Sequence, residues 1–313
     1  MDSKFEGAFE NAEREQESTV RLRFIRHGEK EAGSVEGPDD LVRLSSRGRA
    51  QAEAQSSPET DLKQSLAFGS RRVRSRETAA LAMAGGQEGI TGEETFFELE
   101  EKLRKQQGIS YGKKVAIDDR LNFVNDGKTV LGRELNKAYG EKRYFKFIVE
   151  DGDRRAEELG DLINTTFTSQ AAAVAEVIRK YVTVSQAWHG LVNDPAKKFD
   201  GPLERFMGTH QSVPESFIAK VIELTRGVEE RDAFVAALGN AGFGFAEEAD
   251  IEIVRKHADE PPVIRLRYSK EGKDGAPPYR LDEEIPLGLL ATLEEQNRQQ
   301  LERRRARAAE LKG

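Results

Sequence analysis

The chain has 313 residues, 37% of them hydrophobic and 34% charged, with a formal net charge of −7. This length can bury a sizeable core, and the negative charge argues against a general nucleic-acid binder, which needs a basic face. The absence of cysteine excludes disulfides, thiolate catalysis and cysteine-ligated metals. No apolar run reaches the roughly 20 residues of a membrane helix, and the first residues lack a signal-peptide pattern, so we expect a cytoplasmic protein that binds no membrane.

Strand and helix patterns alternate along the first two thirds of the chain. Apolar and charged residues alternate over 19–26, which predicts a first strand that leads into Arg26-His27-Gly28-Glu29. Five further elements follow: a helix at 44–52 with Ser45 or Ser46 as its N-cap, a strand at 65–70, a helix from Arg71 to the breaker Gly85-Gly86, a strand at 114–118, and one long helical region at 154–191.

The last third begins with a fourth predicted strand at 203–207, which leads to Gly208-Thr209-His210. A helix is predicted from about Pro214, since proline suits a first helical turn. Alternating segments at 250–255 and 263–269 predict an antiparallel hairpin, and the tail at 287–312 predicts a highly charged helix.

This succession predicts an α/β fold, as a three-layer α/β/α sandwich with a mostly parallel central sheet, a helical insertion, and a C-terminal hairpin and helix. We expect a flexible N-terminus at 1–18, an α/β domain at 19–285 with its insertion at about 125–205, and a charged C-terminal helix at 286–313. Ligands of parallel sheets bind beyond the carboxyl ends of the strands. His27 and His210 each follow a predicted strand, so we expect both at that edge.

Four segments lie in a fixed order along the chain: Arg26-His27-Gly28-Glu29, Leu44-Ser45-x-x-Gly48-x-x-Gln51-Ala52, Ser70-x-x-x-Arg74-x-x-Glu77-Thr78-Ala79, and Gly208-Thr209-His210. As an ordered set they resemble the histidine phosphatase superfamily, which includes cofactor-dependent phosphoglycerate mutases and many phosphatases. The resemblance implies that His27 becomes phosphorylated and that His210 is the second catalytic histidine. It also implies that Arg26 and Arg74 bind the phosphate, together with the two histidines.

Two positions depart from the family pattern. Gln211 follows the second histidine, where the family often has glycine or aspartate, and Phe123 stands where the family usually has an acid. The proton donor is therefore open among four carboxylates: Asp119, which we assign first because it follows the third predicted strand, and the alternatives Asp118, Glu29 and Glu215.

Phosphoryl transfer to a side chain needs a nucleophile, cations for the phosphate oxygens, and a proton for the leaving oxygen. His27 attacks only as neutral imidazole, and nearby arginines would lower its pKa by disfavouring another positive charge. The planar fork of Arg26 or Arg74 suits two phosphate oxygens at once. His210 would donate to a phosphate oxygen, and water would then hydrolyse the phosphohistidine without a metal.

The leading prediction is a metal-independent phosphatase that hydrolyses a phosphate ester through a phosphohistidine on His27 and needs no cofactor. Its substrate would be a small-molecule or protein phosphate. The alternatives are a phosphoglycerate mutase-like phosphotransferase and a non-catalytic phosphate-binding regulatory module. The sequence leaves the substrate, the oligomeric state and the role of the C-terminal helix open.

Overall fold

The computed structural model describes residues 15–31, 39–87, 89–91, 94–106, 114–197, 199–271 and 278–313. Most of the N-terminus expected to be flexible lies outside the described residues. The strands of the described part are β1 (Ser18–Arg26), β2 (Leu66–Gly69), β3 (Val115–Ile117), β4 (Leu203–Thr209), β5 (Glu248–Arg255), β6 (Val263–Lys270) and β7 (Tyr279–Glu284).

The helices of the described part are α1 (Ser46–Glu53), α2 (Val73–Ala84), α3 (Phe96–Gln106), α4 (Val130–Gly140), α5 (Tyr144–Phe147), α6 (Asp153–Glu158), α7 (Phe167–Val192), α8 (Val213–Arg226), α9 (Val228–Ala237) and α10 (Leu287–Glu310). Short 3₁₀ turns precede α1 and follow β3, and a π-helical turn joins α5 to α6. In the described part of the chain, no helix combines the length and the apolar character needed to cross a bilayer.

The seven strands form one mixed sheet in the order β3-β2-β4-β1-β5-β6-β7. Strands β3, β2, β4 and β1 pair in parallel, whereas β5, β6 and β7 continue the sheet in antiparallel pairing. The α/β fold class is therefore confirmed, and the parallel pairing is confined to the half of the sheet that carries the two histidines. The predicted hairpin is β5 and β6, while β7 is an additional edge strand.

Helices cover both faces of the sheet and form a hydrophobic core on each side, and β1 contributes side chains to both cores. Val20, Leu22 and Phe24 are buried in the core that includes residues of α7 and α8. Ile25 is buried in a second core with residues of α1 and α2. The end of β1 is therefore buried on both faces, whereas Arg21 and Arg23 occupy the earlier positions of the second face.

The prediction of one helix over 154–191 is wrong, because the chain breaks between α6 and α7. Gly160 has φ +57 and ends the first helix in the left-handed conformation that glycine adopts easily. Thr166 caps α7, since its side chain accepts the backbone N–H of Ser169, whose hydroxyl bonds back to the Thr166 N–H. These local signals stop and restart a helix whose apolar spacing alone looks continuous.

The C-terminal helix α10 packs against the segment that separates α6 from α7. Its Arg304 is buried and donates to the backbone carbonyls of Asp161 and Asn164. A β-carbon on Gly160 would lie 2.6 Å from the backbone nitrogen of Ala308, so the glycine also permits the close approach of α10. The charged tail is thus a packed helix, and the division of the chain into domains stays a prediction.

Candidate active site

The register of two parallel strands brings the two predicted catalytic histidines together. Arg26 pairs with Thr209 at the ends of β1 and β4, so the next residues, His27 and His210, lie side by side. The backbone N–H of His27 donates to the Thr209 carbonyl at 3.0 Å. The centroids of the imidazole rings are 5.2 Å apart, with the ring planes at 67°.

The ring of His27 is held in one tautomer. Its Nδ1 lies 2.7 Å from the carbonyl oxygen of Gly28, which can only accept, so Nδ1 carries the proton and Nε2 has a free lone pair. Burial, followed by the guanidinium groups of Arg74 and Arg26, lowers the pKa of His27 to about 3. His27 is therefore a neutral imidazole at physiological pH, with Nε2 able to act as a nucleophile.

The second histidine is also neutral and is oriented by a serine. The Nε2 of His210 lies 2.7 Å from the hydroxyl oxygen of Ser70, while its Nδ1 is buried with no hydrogen-bond partner among the described residues. Burial, followed by neighbouring His27 and Arg72, holds the pKa of His210 well below its usual range. The Nδ1 of His210 is thus the atom of this ring that remains available to a ligand.

The two predicted phosphate-binding arginines both reach this site. Arg26 is 9% exposed, its guanidinium lies 4.6 Å from the centroid of the Phe245 ring, and it donates to the carbonyl of Phe243. Arg74 is 4% exposed and forms a fork with the carboxylate of Asp39, at 3.0 and 3.2 Å. The charges of both guanidinium groups contribute to lowering the pKa of His27.

Arg72 is a third guanidinium of the site that the sequence did not single out. It precedes α2, has a side chain that is 15% exposed, and lies 4.5 Å from the centroid of the Phe123 ring. The Phe123 ring in turn lies 5.2 Å from the ring of His210. The feature of the sequence that could have pointed to Arg72 is Phe123, which stands where an acid was expected. In the structure its aromatic ring packs against the Arg72 guanidinium.

The turn after β1 depends on two glycines from separate motifs. A β-carbon on Gly28 would lie 2.3 Å from the carbonyl oxygen of Gly48, so the glycine is required by the close packing of α1. Thr78 joins the turn to α2, because its hydroxyl accepts the Gly28 N–H at 3.1 Å and donates to the Arg74 carbonyl at 2.8 Å.

Glu77, in the motif that begins at Ser70, is a buried ion-pair partner. Its carboxylate accepts from the guanidinium groups of Arg43, at 2.6 Å, and Arg49, and from the backbone N–H of Leu44 at 2.9 Å. It therefore fastens the segment before α1 to α2. This places Glu77 in the support of the site and away from the histidines.

Two of the proposed proton donors lie after β3 and are paired with arginines. The side chain of Asp119 is 58% exposed and forms two hydrogen bonds with Arg71, which lower its pKa. Burial opposes ionisation of Asp118, but hydrogen bonds from Arg120 outweigh it and hold the pKa below its usual value. Both carboxyls are ionised at neutral pH, so neither has a proton to donate there.

The other two candidates differ in environment. Glu29 is partly exposed, with its carboxylate 3.6 Å from Arg47. Glu215 is fully buried in the first turn of α8, where its Oε1 accepts the Phe243 N–H at 2.7 Å. Burial raises the pKa of Glu215 to about 7, so it is the carboxyl of the four whose proton is exchangeable near neutral pH. The charge of Glu215 also opposes the lowering of the Arg26 pKa by burial.

The remaining histidines lie outside this arrangement. His189 is buried in α7, with Nδ1 3.0 Å from the Ser18 hydroxyl, and the side chain of His257 is 52% exposed. Across the described ranges, no three histidine, aspartate or glutamate side chains are grouped as metal ligands would be.

The chain resembles solved structures of phosphate-handling proteins. One is mycobacterial glucosyl-3-phosphoglycerate phosphatase with inorganic phosphate, at 17% identity over 79% of this chain and 95% of that chain, with a TM-score of 0.42. Another is phosphoglycerate mutase from Bacillus anthracis, at 14% identity over 88% of this chain and 97% of that chain, with a TM-score of 0.39. Both belong to the histidine phosphatase superfamily.

Comparison with protein-family models and with curated proteins gives no match.

Proposed function

We propose that this protein is a phosphatase that works through a phosphohistidine on Nε2 of His27. The observation that carries the proposal is the fixed tautomer of His27, whose protonated Nδ1 donates to Gly28 and whose ring centroid lies 5.2 Å from that of His210. A neutral, oriented imidazole next to buried guanidinium groups is what nucleophilic attack on a phosphate dianion requires.

In the first step, Nε2 of His27 attacks phosphorus and the bond from phosphorus to the leaving oxygen breaks. The electron pair leaves with that oxygen, which takes a proton from solvent or from a protein acid. Arg26 and Arg74 neutralise the equatorial oxygens, and the Nδ1–H of His210 donates to one of them. In the second step water attacks phosphorus and the N–P bond breaks. Inorganic phosphate, which keeps the protons of the water, is released, and neutral His27 is regenerated.

The identity of the proton donor decides which substrates are hydrolysed fast. Asp118 and Asp119 are held ionised by arginines, and Phe123 stands at the position of the family acid. The exchangeable proton of Glu215 belongs to a carboxyl that is fully buried and bonded to the Phe243 N–H, so Glu215 does not serve a leaving group directly. We therefore propose phosphates whose leaving group departs without strong acid assistance, such as a phosphohistidine or an acyl phosphate. Alkyl phosphate esters would be slower substrates by this reasoning.

The test is the hydrolysis of p-nitrophenyl phosphate, a generic ester with a good leaving group, by the purified protein. His27→Asn should lower turnover at least about 1,000-fold, because the nucleophile is lost. His257→Asn, at an exposed histidine, is the matched control and should leave turnover unchanged. Turnover that survives His27→Asn would refute the proposal. Phosphate binding without any turnover would instead favour a regulatory module.

A further inference from the structure

The carboxylate of Asp39 contacts two arginines of the site, the buried Arg74 and the partly buried Arg72. It accepts from both Nη atoms of Arg74, at 3.2 and 3.0 Å, and lies 3.0 Å from Nε of Arg72. Its own backbone carbonyl accepts from Arg74 at 2.8 Å, and Lys30 lies 3.7 Å from the carboxylate. A forked contact to one guanidinium and a contact to a second is the way an oxyanion such as phosphate is bound.

The partners in this contact are unequally buried. The side chain of Arg74 is 5% exposed and that of Arg72 is 15% exposed, whereas that of Asp39 is 49% exposed. Two guanidinium groups this close and this buried need an anion beside them, because a buried charge without a counter-charge is costly. The half-exposed carboxylate is the member that can move into water at low cost, so the anion position is exchangeable.

Arg72 has unused hydrogen-bonding capacity toward the site. Its Nη1 is buried and has no hydrogen-bond partner among the described residues, and its Nε meets Asp39 as an ion pair without hydrogen-bond geometry. The ring of Phe123 fixes the guanidinium plane at 4.5 Å and also contacts His210. The charge of Arg72 is among those that act on both histidines. Arg72 therefore borders the phosphate position proposed above.

We propose that Arg72 is a third phosphate-binding residue and that Asp39 holds the anion position between Arg72 and Arg74 until a phosphate displaces it. This inference rests on the proposed function, because it concerns the same phosphate site. A phosphate dianion has more charge and more acceptor atoms than a carboxylate, so it competes well for two guanidinium groups. The carboxylate in turn excludes weaker anions and speeds release of the inorganic phosphate product.

An opposite role for Asp39 makes an opposite prediction. If Asp39 served to orient Arg74 for phosphate, its removal would weaken phosphate binding. If Asp39 competes with phosphate, its removal strengthens binding. The sign of the change therefore separates the two roles.

The experiment is a titration of the full-length protein with inorganic phosphate, in which isothermal titration calorimetry measures the Kd. Asp39→Asn should lower the Kd for phosphate by about tenfold, since one charge-assisted competitor is removed. Asp40→Asn removes the same charge from the next residue, which lies 3.8 Å from Arg72, and should change the Kd less than Asp39→Asn does. Arg72→Gln should raise the Kd by about tenfold.

The outcomes separate this inference from the function on which it rests. A weaker phosphate affinity for Asp39→Asn, or an unchanged affinity for Arg72→Gln, would overturn the inference. If Arg74→Gln and Arg26→Gln also leave the affinity unchanged, the phosphate site itself is wrong and the proposed function fails. If Arg72→Gln does not fold, Arg72→Lys, which keeps the charge but loses the fork, should still weaken binding.

Discussion

The hydroxyl oxygen of Ser70 lies 2.7 Å from Nε2 of His210. The same oxygen accepts the backbone N–H of Arg72 at 3.2 Å, so the serine proton is free to point at the imidazole. Donation from Ser70 to Nε2 leaves the His210 proton on Nδ1. The serine that opens the second arginine motif thus sets the tautomer of a histidine 140 residues away.

We expect Ser70→Ala to lower turnover of p-nitrophenyl phosphate by at least about tenfold, because His210 loses its fixed tautomer. The KM should change less than kcat, since His210 acts most on the transition state. Ser185→Ala is the control: this serine is equally buried but donates to the Val182 carbonyl within α7. Full activity of Ser70→Ala would show that the tautomer of His210 does not matter.

The carboxylate first assigned as proton donor can be tested directly. Asp119→Asn should leave turnover within about twofold and stability within about 1 kcal/mol, because the exposed pair with Arg71 is solvent-screened. Steady-state kinetics and urea unfolding measure the two effects. A loss of turnover of 100-fold or more, as expected for a general acid, would restore Asp119 as the donor.

The buried Glu215 should make stability depend on pH. Its pKa rises from 4.5 to about 7 on folding, so the folded protein holds this proton more tightly than the unfolded chain. The free energy of unfolding therefore falls as the pH rises from 4.5 to about 7, by at most about 3 kcal/mol. Glu215→Gln should remove this part of the pH dependence, as measured by urea unfolding at pH 5 and pH 8.

The exposed Glu230 of α9 provides the control for this measurement. Glu230→Gln should keep the pH dependence of the wild type. If Glu215→Gln keeps it as well, the carboxyl does not titrate in the range that its burial implies.

The ion pairs of Glu77 should contribute measurably to the free energy of unfolding. Glu77→Ala leaves Arg43 and Arg49 without the carboxylate that they share, and loss of one partner of a buried ion pair costs about 3–5 kcal/mol. Glu101→Ala removes an exposed, solvent-screened partner of Lys105 and should lower the free energy of unfolding far less than Glu77→Ala does. Equal unfolding free energies for the two variants would contradict the structural role of Glu77.

Local patterns were sufficient for the elements that carry the histidines. The strand end at Arg26 and the helix after Ser70 follow from alternation and motif spacing, and Ser45 is one of the two caps predicted. Strand β4 continues two residues beyond the predicted 203–207, to Thr209. The break at Gly160 was readable in principle, because a glycine followed by the cap Thr166 interrupts the apolar spacing. The prediction of a long helical region at 154–191 relied on the spacing of its apolar residues and gave these two signals too little weight.

The charged part of the site could not be derived in the same way. Long arginine side chains take their orientation from tertiary neighbours, and the neighbours of Arg72 come from segments far apart in the chain, Phe123 and Asp39. Likewise, the sequence offered four carboxylates as proton donors, and only burial distinguishes Glu215 from Asp119. Desolvation is a property of the folded chain, so composition and spacing do not contain it.

The most direct test of the phosphohistidine mechanism is the position of the phosphate on the trapped enzyme. The protein is mixed with p-nitrophenyl phosphate, quenched in alkali, in which phosphohistidine persists, and analysed by ³¹P NMR and peptide mass spectrometry. We expect an acid-labile phosphate on Nε2 of His27, because Nδ1 is occupied by its hydrogen bond to Gly28. Hydrolysis that proceeds without such a phosphate, or a phosphate on Nδ1 or on His210, would contradict this mechanism.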